Sequence, residues 1–450
     1  MSDRDAVLSR VRERVDPSPA EREALAAAAD ELAARARGAL DDLGVDGEVV
    51  QVGSTARGTW VSGDRDIDLF VQFDPELARP ELERLGLEVG HAVLPDGHEE
   101  YAEHPYVKGV FEGFDVDLVP CYAVESAAEI QSAVDRTPFH TKYLEARVDE
   151  ALAADVRLLK QFLKGAGAYG SDLRTEGFSG YLTELLCVEY GGFVATLEAV
   201  ADWNPPVRFD PEGHGTRSFD DPLVVVDPTD AERNVAAVVS AANVARFQHY
   251  ARAFLDDADE EYFFPEPVGP AGEAEVRAWL AERGTTALAV RFETPDLVED
   301  QLYPQLERSR DGLVRGLEGH GFDVLRSAVW ANAESVLFVE LSVAELPAVE
   351  RHDGPPVAVG EHARGFYEQY ADDPAVFGPF IDGDRYVVER EREVATAVEF
   401  AEKRLGSVAL GAHVASIVDA GDYEVLAGEE VPPLAGDFGV ELRAYFEPEP

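Results

Sequence analysis

Two aspartates, Asp66 and Asp68, are separated by one apolar residue at the start of the apolar run 67–73. Because side chains alternate across a β-strand, both carboxylates are expected on one face, as a shared metal site requires. Eleven residues separate Asp66 from the pair Gly53-Ser54. Glycine lets the backbone approach a phosphate, Ser54 offers hydroxyl and amide donors, and Arg57 can reach the same anion. This pattern can hold a nucleoside triphosphate on two metal ions.

A third carboxylate is needed, because two divalent ions about 4 Å apart have to be bridged and held during phosphoryl transfer. Asp117 lies among apolar residues in the predicted strand 114–119, where an unpaired carboxylate is costly and a metal ion removes that cost. Asp115, on the same face, is a competing ligand, and we favour Asp117 because it is deeper in the strand. Asp64 is expected to be a turn or cap residue.

The elements that must position these residues follow from periodicity and end signals. A helix is predicted over 18–43, with Ser18 as N-cap, Glu21 completing a capping box and Gly44 at its end. Strands at 49–52, 67–73, 106–111 and 114–119, with a helix at 80–94, predict a small mixed sheet with helices on one side. Helical runs follow at 151–165, 179–203 and 231–255, with a lone strand at 223–226.

The second half of the chain changes pattern after a linker rich in proline and glycine, 265–270. A strand (287–292), a helix (301–319) and two strands (322–330 and 335–341) give a βαββ order. This order is typical of a ferredoxin-like unit, a layout often used to bind RNA. From about residue 355, short helices such as 395–405 mix with strands near 385–389.

The composition is strongly acidic. The chain has 450 residues, with 39 basic and 89 acidic residues, a formal net charge of −50 and only the lysines Lys108, Lys142, Lys160, Lys164 and Lys403. Charge dispersed along helices that also carry regular apolar positions favours a salt-adapted surface over a disordered polyanion, with an ordinary acidic protein as the alternative.

Several cellular contexts are disfavoured by the same sequence. No run approaches 18 uncharged apolar residues, so no membrane span is expected, and the charged first fifteen residues do not resemble a signal peptide. Cys121 and Cys187 lie in apolar runs without the spacing of a metal site. A reduced cytoplasm is therefore the expected location.

The Gly-Ser turn with its paired acids resembles the polymerase-beta type of nucleotidyltransferase, a superfamily that includes poly(A) polymerases and CCA-adding enzymes. Other stretches resemble the archaeal (class I) CCA-adding tRNA nucleotidyltransferases, and the charge suggests a salt-loving archaeon. These stretches are 103–107, 119–122, 132–140, 156–160, 177–181, 233–237 and 300–307. The last hundred residues match less distinctly.

The resemblance implies an α+β multidomain protein with four parts. They are a polymerase-beta-type nucleotidyltransferase head with a mixed sheet and helices (1–140), a helical neck that recognises the base (141–265), a ferredoxin-like or RRM-like body (266–354) and a mixed α/β tail that contacts tRNA (355–450). It also implies template-independent addition of C, C and A to the 3′ end of tRNA, from CTP and ATP, with release of pyrophosphate, and contact with tRNA at its 3′ end and acceptor region. The resemblance leaves a homodimer open.

The resemblance also assigns roles to residues. The positions implied to contact the incoming nucleotide are Ser54, Arg57, His140, Lys160 and Tyr169, and those implied to bind Mg²⁺ for catalysis are Asp66, Asp68 and Asp117. Considered without the family, His140 and Tyr169 would be packing residues. Lys160, on an otherwise apolar helix in a chain almost devoid of lysine, favours a phosphate partner. Arg233-Asn234 is predicted to open a helix, where Arg233 either reads a base or phosphate, or forms a helix-start salt bridge.

Alternative functions share the same head. A poly(A)-polymerase-like or small-molecule nucleotidyltransferase would differ in its product, and a catalytically inactive RNA-binding protein is disfavoured because all three carboxylates are present. Phosphates of tRNA would have to be bound largely by arginines such as Arg308, Arg310, Arg315 and Arg326. Since phosphate-driven affinity falls steeply with salt, shape, stacking and 2′-hydroxyl contacts are expected to dominate.

Overall fold

The computed structural model describes residues 3–101 and 103–450, which fall into two compact units divided between Glu266 and Pro267. Each unit combines helices with its own β-sheets, and this confirms the predicted α+β multidomain class. The finer division into head, neck, body and tail stays a prediction. In the part of the chain that the structure describes, no helix is both long and apolar enough to cross a membrane.

The first unit has the following elements in chain order. Its helices are α1 (Asp3–Val15), α2 (Pro19–Leu43), α3 (Gly53–Ala56), α4 (Arg79–Val93), α5 (Thr137–Glu145), α6 (Glu150–Gly165), α7 (Gly180–Tyr190), α8 (Phe193–Ala201) and α9 (Ala241–Asp256). Its strands are β1 (Gly47–Val52), β2 (Asp66–Phe73), β3 (His98–Tyr101), β4 (Pro105–Phe111), β5 (Phe114–Tyr122), β6 (Val207–Phe209), β7 (Leu223–Asp227) and β8 (Asp230–Asn234).

The sheet that carries the aspartates has the order β1-β2-β5-β4-β3, with β2 and β5 parallel and the other pairs antiparallel. One face packs on α2 and α4 through buried residues such as Ile67, Leu69 and Val116. Alternation then places Asp66, Asp68 and Asp117 on the opposite face. The predicted small mixed sheet with helices on one side is confirmed.

Helix α2 begins and ends as its sequence predicts. The Ser18 hydroxyl accepts from the Glu21 amide, the Glu21 side chain accepts from the Ser18 amide, and Gly44 ends the helix in the left-handed region with φ of 66°. The buried face of this helix is rich in alanine, including Ala28 and Ala36, which allows close approach to the sheet. Helix α2 thus forms one wall of the core under the aspartate strands.

The helical part of the first unit differs from prediction in two places. The single helix expected over 179–203 is broken at Gly191 and Gly192, whose φ angles are 84° and 124°. A Cβ on Gly192 would lie 2.3 Å from the Asp155 carboxylate, which accepts from the Phe193 amide and so starts α8. The break lets α7 and α8 pack on each other around buried phenylalanines.

The predicted helix over 231–255 is also wrong in its first half. Residues 230–234 form strand β8, which pairs with β7, and α9 begins only at Ala241. The Asn234 side chain accepts from the amides of Val225 and Ala236, and these local bonds compete with a helical turn. Arg233 therefore lies on a strand and not at a helix start, and the predicted lone strand is the centre of a three-stranded sheet, β6-β7-β8.

The second unit has the following elements. Its helices are α10 (Glu273–Arg283), α11 (Glu299–Gly319), α12 (Gly360–Tyr370), α13 (Ala397–Arg404), α14 (Ala412–Ala420) and α15 (Ala435–Phe446). Its strands are β9 (Thr286–Glu293), β10 (Asp323–Ala331), β11 (Glu334–Val343), β12 (Val349–Pro356), β13 (Val376–Asp382), β14 (Arg385–Glu391) and β15 (Glu424–Ala427).

The main sheet of this unit is antiparallel throughout, with the order β10-β11-β9-β15. Taken in chain order, its strands lie as 2-3-1-4, which is the ferredoxin-like arrangement that the βαββ order predicted. A separate sheet, β12-β14-β13, forms in the stretch between β11 and α13, with α12 packed on it. The predicted ferredoxin-like body is confirmed, and its last strand, β15, comes from the segment predicted as tail.

Candidate functional site

The three predicted metal-binding aspartates lie on neighbouring strands. Asp68 is in register with Asp117 across the parallel pair β2–β5, and Asp66 is in register with Asp115. Asp68 and Asp117 are partly buried, whereas Asp66 and Asp115 are exposed at the end of the sheet. The structure therefore brings Asp66, Asp68 and Asp117 to one face and places Asp117, not Asp115, beside Asp68.

These carboxylates have little positive charge to balance them. Burial, followed by the charges of Asp117 and Asp66, raises the pKa of Asp68 to about 6. Burial and the neighbouring Asp64 and Asp115 raise the pKa of Asp66. Burial also raises the pKa of Asp117, although the Lys108 ammonium, 3.7 Å from Asp117 Oδ1, opposes the rise. The cluster consequently favours any added cation.

The donor set fits divalent metal ions of the hard, oxygen-binding kind. Oδ1 of Asp117 is buried and has no hydrogen-bond partner among the residues that the structure describes. Within residues 3–101 and 103–450, no three His, Cys, Asp or Glu side chains are grouped tightly enough to coordinate one metal ion. The aspartates are thus not a preassembled cage, but their chemistry, their shared face and the unsatisfied Asp117 oxygen all suit Mg²⁺-like cations.

Gly53 has a role that the sequence did not reveal. Its φ is 76°, and a Cβ at this position would lie 2.1 Å from Asp68 Oδ2. Val52, immediately before it, pairs with Asp68 across β1 and β2. Glycine is required here because the Asp68 carboxylate packs against the turn, so the Gly-Ser turn and the aspartate cluster are parts of one construction.

A cavity of about 290 Å³ lies beside this turn and contains every residue predicted to contact the nucleotide. Its lining residues are Gly53, Ser54, Arg57, Thr137, His140, Thr141, Lys160, Tyr169, Gly180, Tyr181 and Glu184. They come from the Gly-Ser turn, from helices α5, α6 and α7, and from the segment that follows α6. The fold therefore assembles in one place residues that are far apart in the sequence.

The cationic side of the cavity is organised by a residue that the sequence analysis did not identify. Glu184 accepts from Arg57 Nε at 2.7 Å and Nη2 at 3.1 Å, and from Lys160 Nζ at 3.3 Å. The Thr59 hydroxyl donates to the same carboxylate at 2.5 Å. Burial would raise the pKa of Glu184, but the charges of Lys160 and Arg57 outweigh it and hold this pKa below its ordinary value.

The aromatic lining residues His140 and Tyr181 are held by Asp227, which was also missed. Its buried carboxylate lies 2.9 Å from His140 Nε2 and accepts from Arg233 Nη1 at 2.7 Å. His140 stacks on Tyr181 with ring centroids 4.0 Å apart. Burial lowers the pKa of His140, and the hydrogen bond to Asp227 opposes this decrease.

Both missed residues left a signal in the sequence. Glu184 is an acidic residue within a largely apolar helical stretch, and Lys160 is a basic residue within another such stretch. Because buried charged residues are usually paired, these two residues are expected to form an ion pair with each other. Asp227 directly follows the buried strand residues 223–226.

Asp64, expected to be a turn residue, accepts from the Val61 amide and from Lys164. Cys121 and Cys187 are buried and free.

Three family descriptions match successive parts of the chain. They are "Nucleotidyltransferase domain" over residues 34–140, "tRNA nucleotidyltransferase, second domain" over 154–264 and "CCA-adding enzyme, C-terminal domain" over 283–428. A nucleotidyltransferase domain implies dependence on a divalent metal ion.

Curated relatives match over the whole length. The chain is 64% identical over 450 residues to a CCA-adding enzyme of Halobacterium salinarum and 62% identical over 464 residues to one of Halorubrum lacusprofundi, covering 100% of each chain in both cases. It is 43% identical to a CCA-adding enzyme of Methanosarcina barkeri, over 97% of both chains.

Solved structures are more distant. A cytoplasmic RNA terminal U-transferase is 16% identical with a TM-score of 0.45, and the match covers 60% of this chain and 100% of that one. CdnC from E. coli MS115-1 is 17% identical with a TM-score of 0.45, covering 59% of this chain and 94% of that one. Similarity at this level is too remote to indicate function.

Proposed function

The chain belongs to the family of CCA-adding enzymes, and on that premise we propose that its first unit adds C, C and A to the 3′ end of tRNA from CTP and ATP. The membership confirms the resemblance expected from the Gly-Ser turn and the paired acids. The proposal assigns the aspartate cluster to metal binding and the adjoining cavity to the incoming nucleotide. We further propose Mg²⁺ as the metal and the cytoplasm as the location, whereas a homodimer stays a prediction.

In this proposal, Asp66, Asp68 and Asp117 hold the metal ions. Bound divalent ions would neutralise charge on the attacking and leaving oxygens of the transfer. The chain's own contribution is to fix Asp68 against the Gly53 turn and beside Asp117, so that the carboxylates lie next to the nucleotide cavity.

Different residues of the cavity would bind different parts of the nucleotide. Arg57 and Lys160 supply positive charge and Ser54 supplies donors, which suits the triphosphate. Tyr169 and the stacked pair of His140 and Tyr181 supply aromatic surface, which suits the base and ribose. Arg233, held by Asp227, can present two donors to the acceptor edge of a base or to a phosphate.

One observation carries this proposal: a cavity containing all five predicted nucleotide contacts adjoins the turn against which Asp68 packs. The test offers tRNA lacking its 3′ end with CTP, ATP and Mg²⁺ in concentrated KCl, followed by sequencing of the products. We expect addition of C, C and A followed by arrest. A homopolymeric tail would favour a poly(A)-polymerase-like activity, and absence of any product from folded enzyme would contradict the proposal.

A further inference from the structure

Glu184 is a carboxylate without exposure to solvent in the middle of helix α7. Its immediate neighbours on the helix, Thr183 and Leu185, are also buried. Two oxygens accept from Arg57, Lys160 and Thr59 at distances between 2.5 and 3.3 Å. A carboxylate placed so deeply is costly unless it is paired, and the two cations that pair with this one line the nucleotide cavity.

The balance of charge explains what such a carboxylate would do. Arg57 and Lys160 have side chains only 7% and 3% exposed, so neither charge is well solvated by water. With Glu184 present, two positive charges and one negative charge leave a net single positive charge. Without it, two buried cations would repel each other, and only lysine can relieve this by losing a proton, because arginine stays charged.

The other groups around Lys160 do not replace Glu184. Burial lowers the pKa of Lys160, the Glu184 charge opposes that effect, and the Arg57 charge adds to it. The titratable and charged groups that act on Lys160 or lie near it are Arg57, Asp64, Tyr169, Glu184 and Cys187. Asp64 is already bonded to Lys164 at 3.2 Å, and burial raises the pKa values of Tyr169 and Cys187, so both are neutral.

We propose that Glu184 is a positioning residue that aligns the Arg57 guanidinium and keeps Lys160 protonated, so that both can bind the triphosphate of the incoming nucleotide. The inference rests on the proposed function of the cavity. Glu184 would act through the two cations, because its oxygens already accept from them and from Thr59. Since CTP and ATP share the triphosphate, Glu184 would support both additions equally.

The test is the affinity for CTP and for ATP of Glu184→Gln, measured by equilibrium binding between pH 7.0 and about 9.5 with Mg²⁺ held constant. Glutamine keeps the shape and an acceptor but removes the charge. We expect nearly constant affinity for the unaltered protein and a loss of about tenfold or more across this range for Glu184→Gln, as Lys160 loses its proton. CTP and ATP should be affected alike.

Two further variants separate protonation from alignment. In Glu184→Gln combined with Lys160→Arg, the dependence on pH should disappear, because arginine does not deprotonate in this range. Glu184→Asp should keep the flat pH profile but weaken binding, since the shorter side chain keeps the charge and misaligns Arg57. Glu189→Gln, on the same helix but exposed, is the matched control and should behave as the unaltered protein.

The outcomes distinguish this inference from the proposed function. If Arg57→Ala and Lys160→Ala bind CTP as tightly as the unaltered protein, the cavity is not the triphosphate site and both proposals are wrong. If those variants lose binding while Glu184→Gln, shown to be folded by circular dichroism, keeps a flat profile at full affinity, only the role of Glu184 is wrong. If Glu184→Gln does not fold, the Glu184→Asp profile decides, and a strong pH dependence there would overturn the inference.

Discussion

The first unit contains two sets of carboxylates that differ in their burial and in their partners. Asp66, Asp68 and Asp117 lie together on one sheet face, and burial and mutual repulsion raise their pKa values although nearby cations such as Lys108 oppose the rise. Glu184 and Asp227 are more deeply buried, yet cationic or hydrogen-bonding partners hold their pKa values below the ordinary range. Burial alone therefore does not decide the charge state of a carboxylate.

The difference between the pKa values of the two sets indicates two different roles. A carboxylate that already has its cations is a structural part of the site, because removing it leaves the cations unpaired. When a cation from solution binds to a group of carboxylates that repel one another, the repulsion decreases and the free energy of the protein is lowered. We infer that the paired set, Glu184 and Asp227, shapes the nucleotide cavity. We also infer that the other set, called unpaired because nearby cations do not balance its charge, binds metal.

The largest effect is expected for loss of an unpaired carboxylate. Asp117→Asn should lower CCA addition by roughly 10³-fold or more, because it removes several kcal/mol of metal-mediated transition-state stabilisation. The measurement is incorporation of CTP into tRNA lacking its 3′ end, with tRNA binding measured in parallel and expected to persist. Asp115→Asn is the matched control, since Asp115 is exposed one position along the same face. Equal losses in both variants would remove the distinction between the two aspartates.

The second prediction concerns a paired carboxylate. Asp227→Asn should lower the free energy of unfolding by on the order of 3 kcal/mol at pH 7, because His140 and Arg233 lose a buried partner. Burial opposes ionisation of Asp227, but its hydrogen bonds lower its pKa overall, so its contribution is present above about pH 4 and lost at lower pH. Urea unfolding at several pH values measures it. Asp230→Asn, which removes the more exposed partner of Arg136, should cost clearly less.

The third prediction concerns binding of metal to the unpaired set. Mg²⁺ at a hundred times its dissociation constant should stabilise the unaltered protein by about 2.7 kcal/mol, since it binds the folded state. Thermal unfolding with MgCl₂, at a KCl concentration that keeps ionic strength constant, measures this. Asp68→Asn should lose most of the stabilisation, whereas Asp115→Asn should retain it. A full Mg²⁺ response in Asp68→Asn would place the metal elsewhere.

The smallest effect is expected for an exposed pair. Arg84 contacts Glu81 at 2.5 Å and Glu88 at 2.6 Å on the surface of α4, with about half of its side chain exposed. Surface pairs contribute little and are screened in concentrated salt. Arg84→Ala should therefore leave the melting temperature unchanged within error in molar KCl. A large decrease would show that exposed ion pairs, which are numerous in this acidic chain, contribute as much as buried ones.

The unpaired set could be predicted from the sequence because its position depends on neighbouring residues in the chain. Strand alternation places Asp66 and Asp68 on one face, and the apolar neighbours of Asp117 mark it as a buried acid. The paired set was not accessible in the same way, because Glu184 is 127 residues from Arg57 and Asp227 is 87 residues from His140. Such partners are brought together only by packing of α5, α6, α7 and β7.

The prediction of secondary structure was wrong where side chains compete with backbone carbonyls for hydrogen bonds from backbone amides. The alanine-rich stretch around 231–242 favours a helix by composition, but the Asn234 amide bonds to neighbouring backbone groups and the chain forms β8. That error placed Arg233 at a helix start, although its partner Asp227 lies on the adjacent strand. The ferredoxin-like order, in contrast, depends on long regular elements and was predicted correctly.

The central claim is that the charge of the unpaired set destabilises the metal-free protein, whereas the charge of the paired set stabilises it. The most direct test compares the melting temperatures of Asp68→Asn and Asp227→Asn with that of the unaltered protein in metal-free buffer with EDTA. The raised pKa of Asp68, about 6, means that its ionisation costs stability as the pH rises from about 4 through 6. Asp68→Asn should therefore melt at a higher temperature than the unaltered protein at pH 7, with the gain vanishing near pH 4, while Asp227→Asn melts lower. A decrease for Asp68→Asn at pH 7 as large as that for Asp227→Asn would contradict the account.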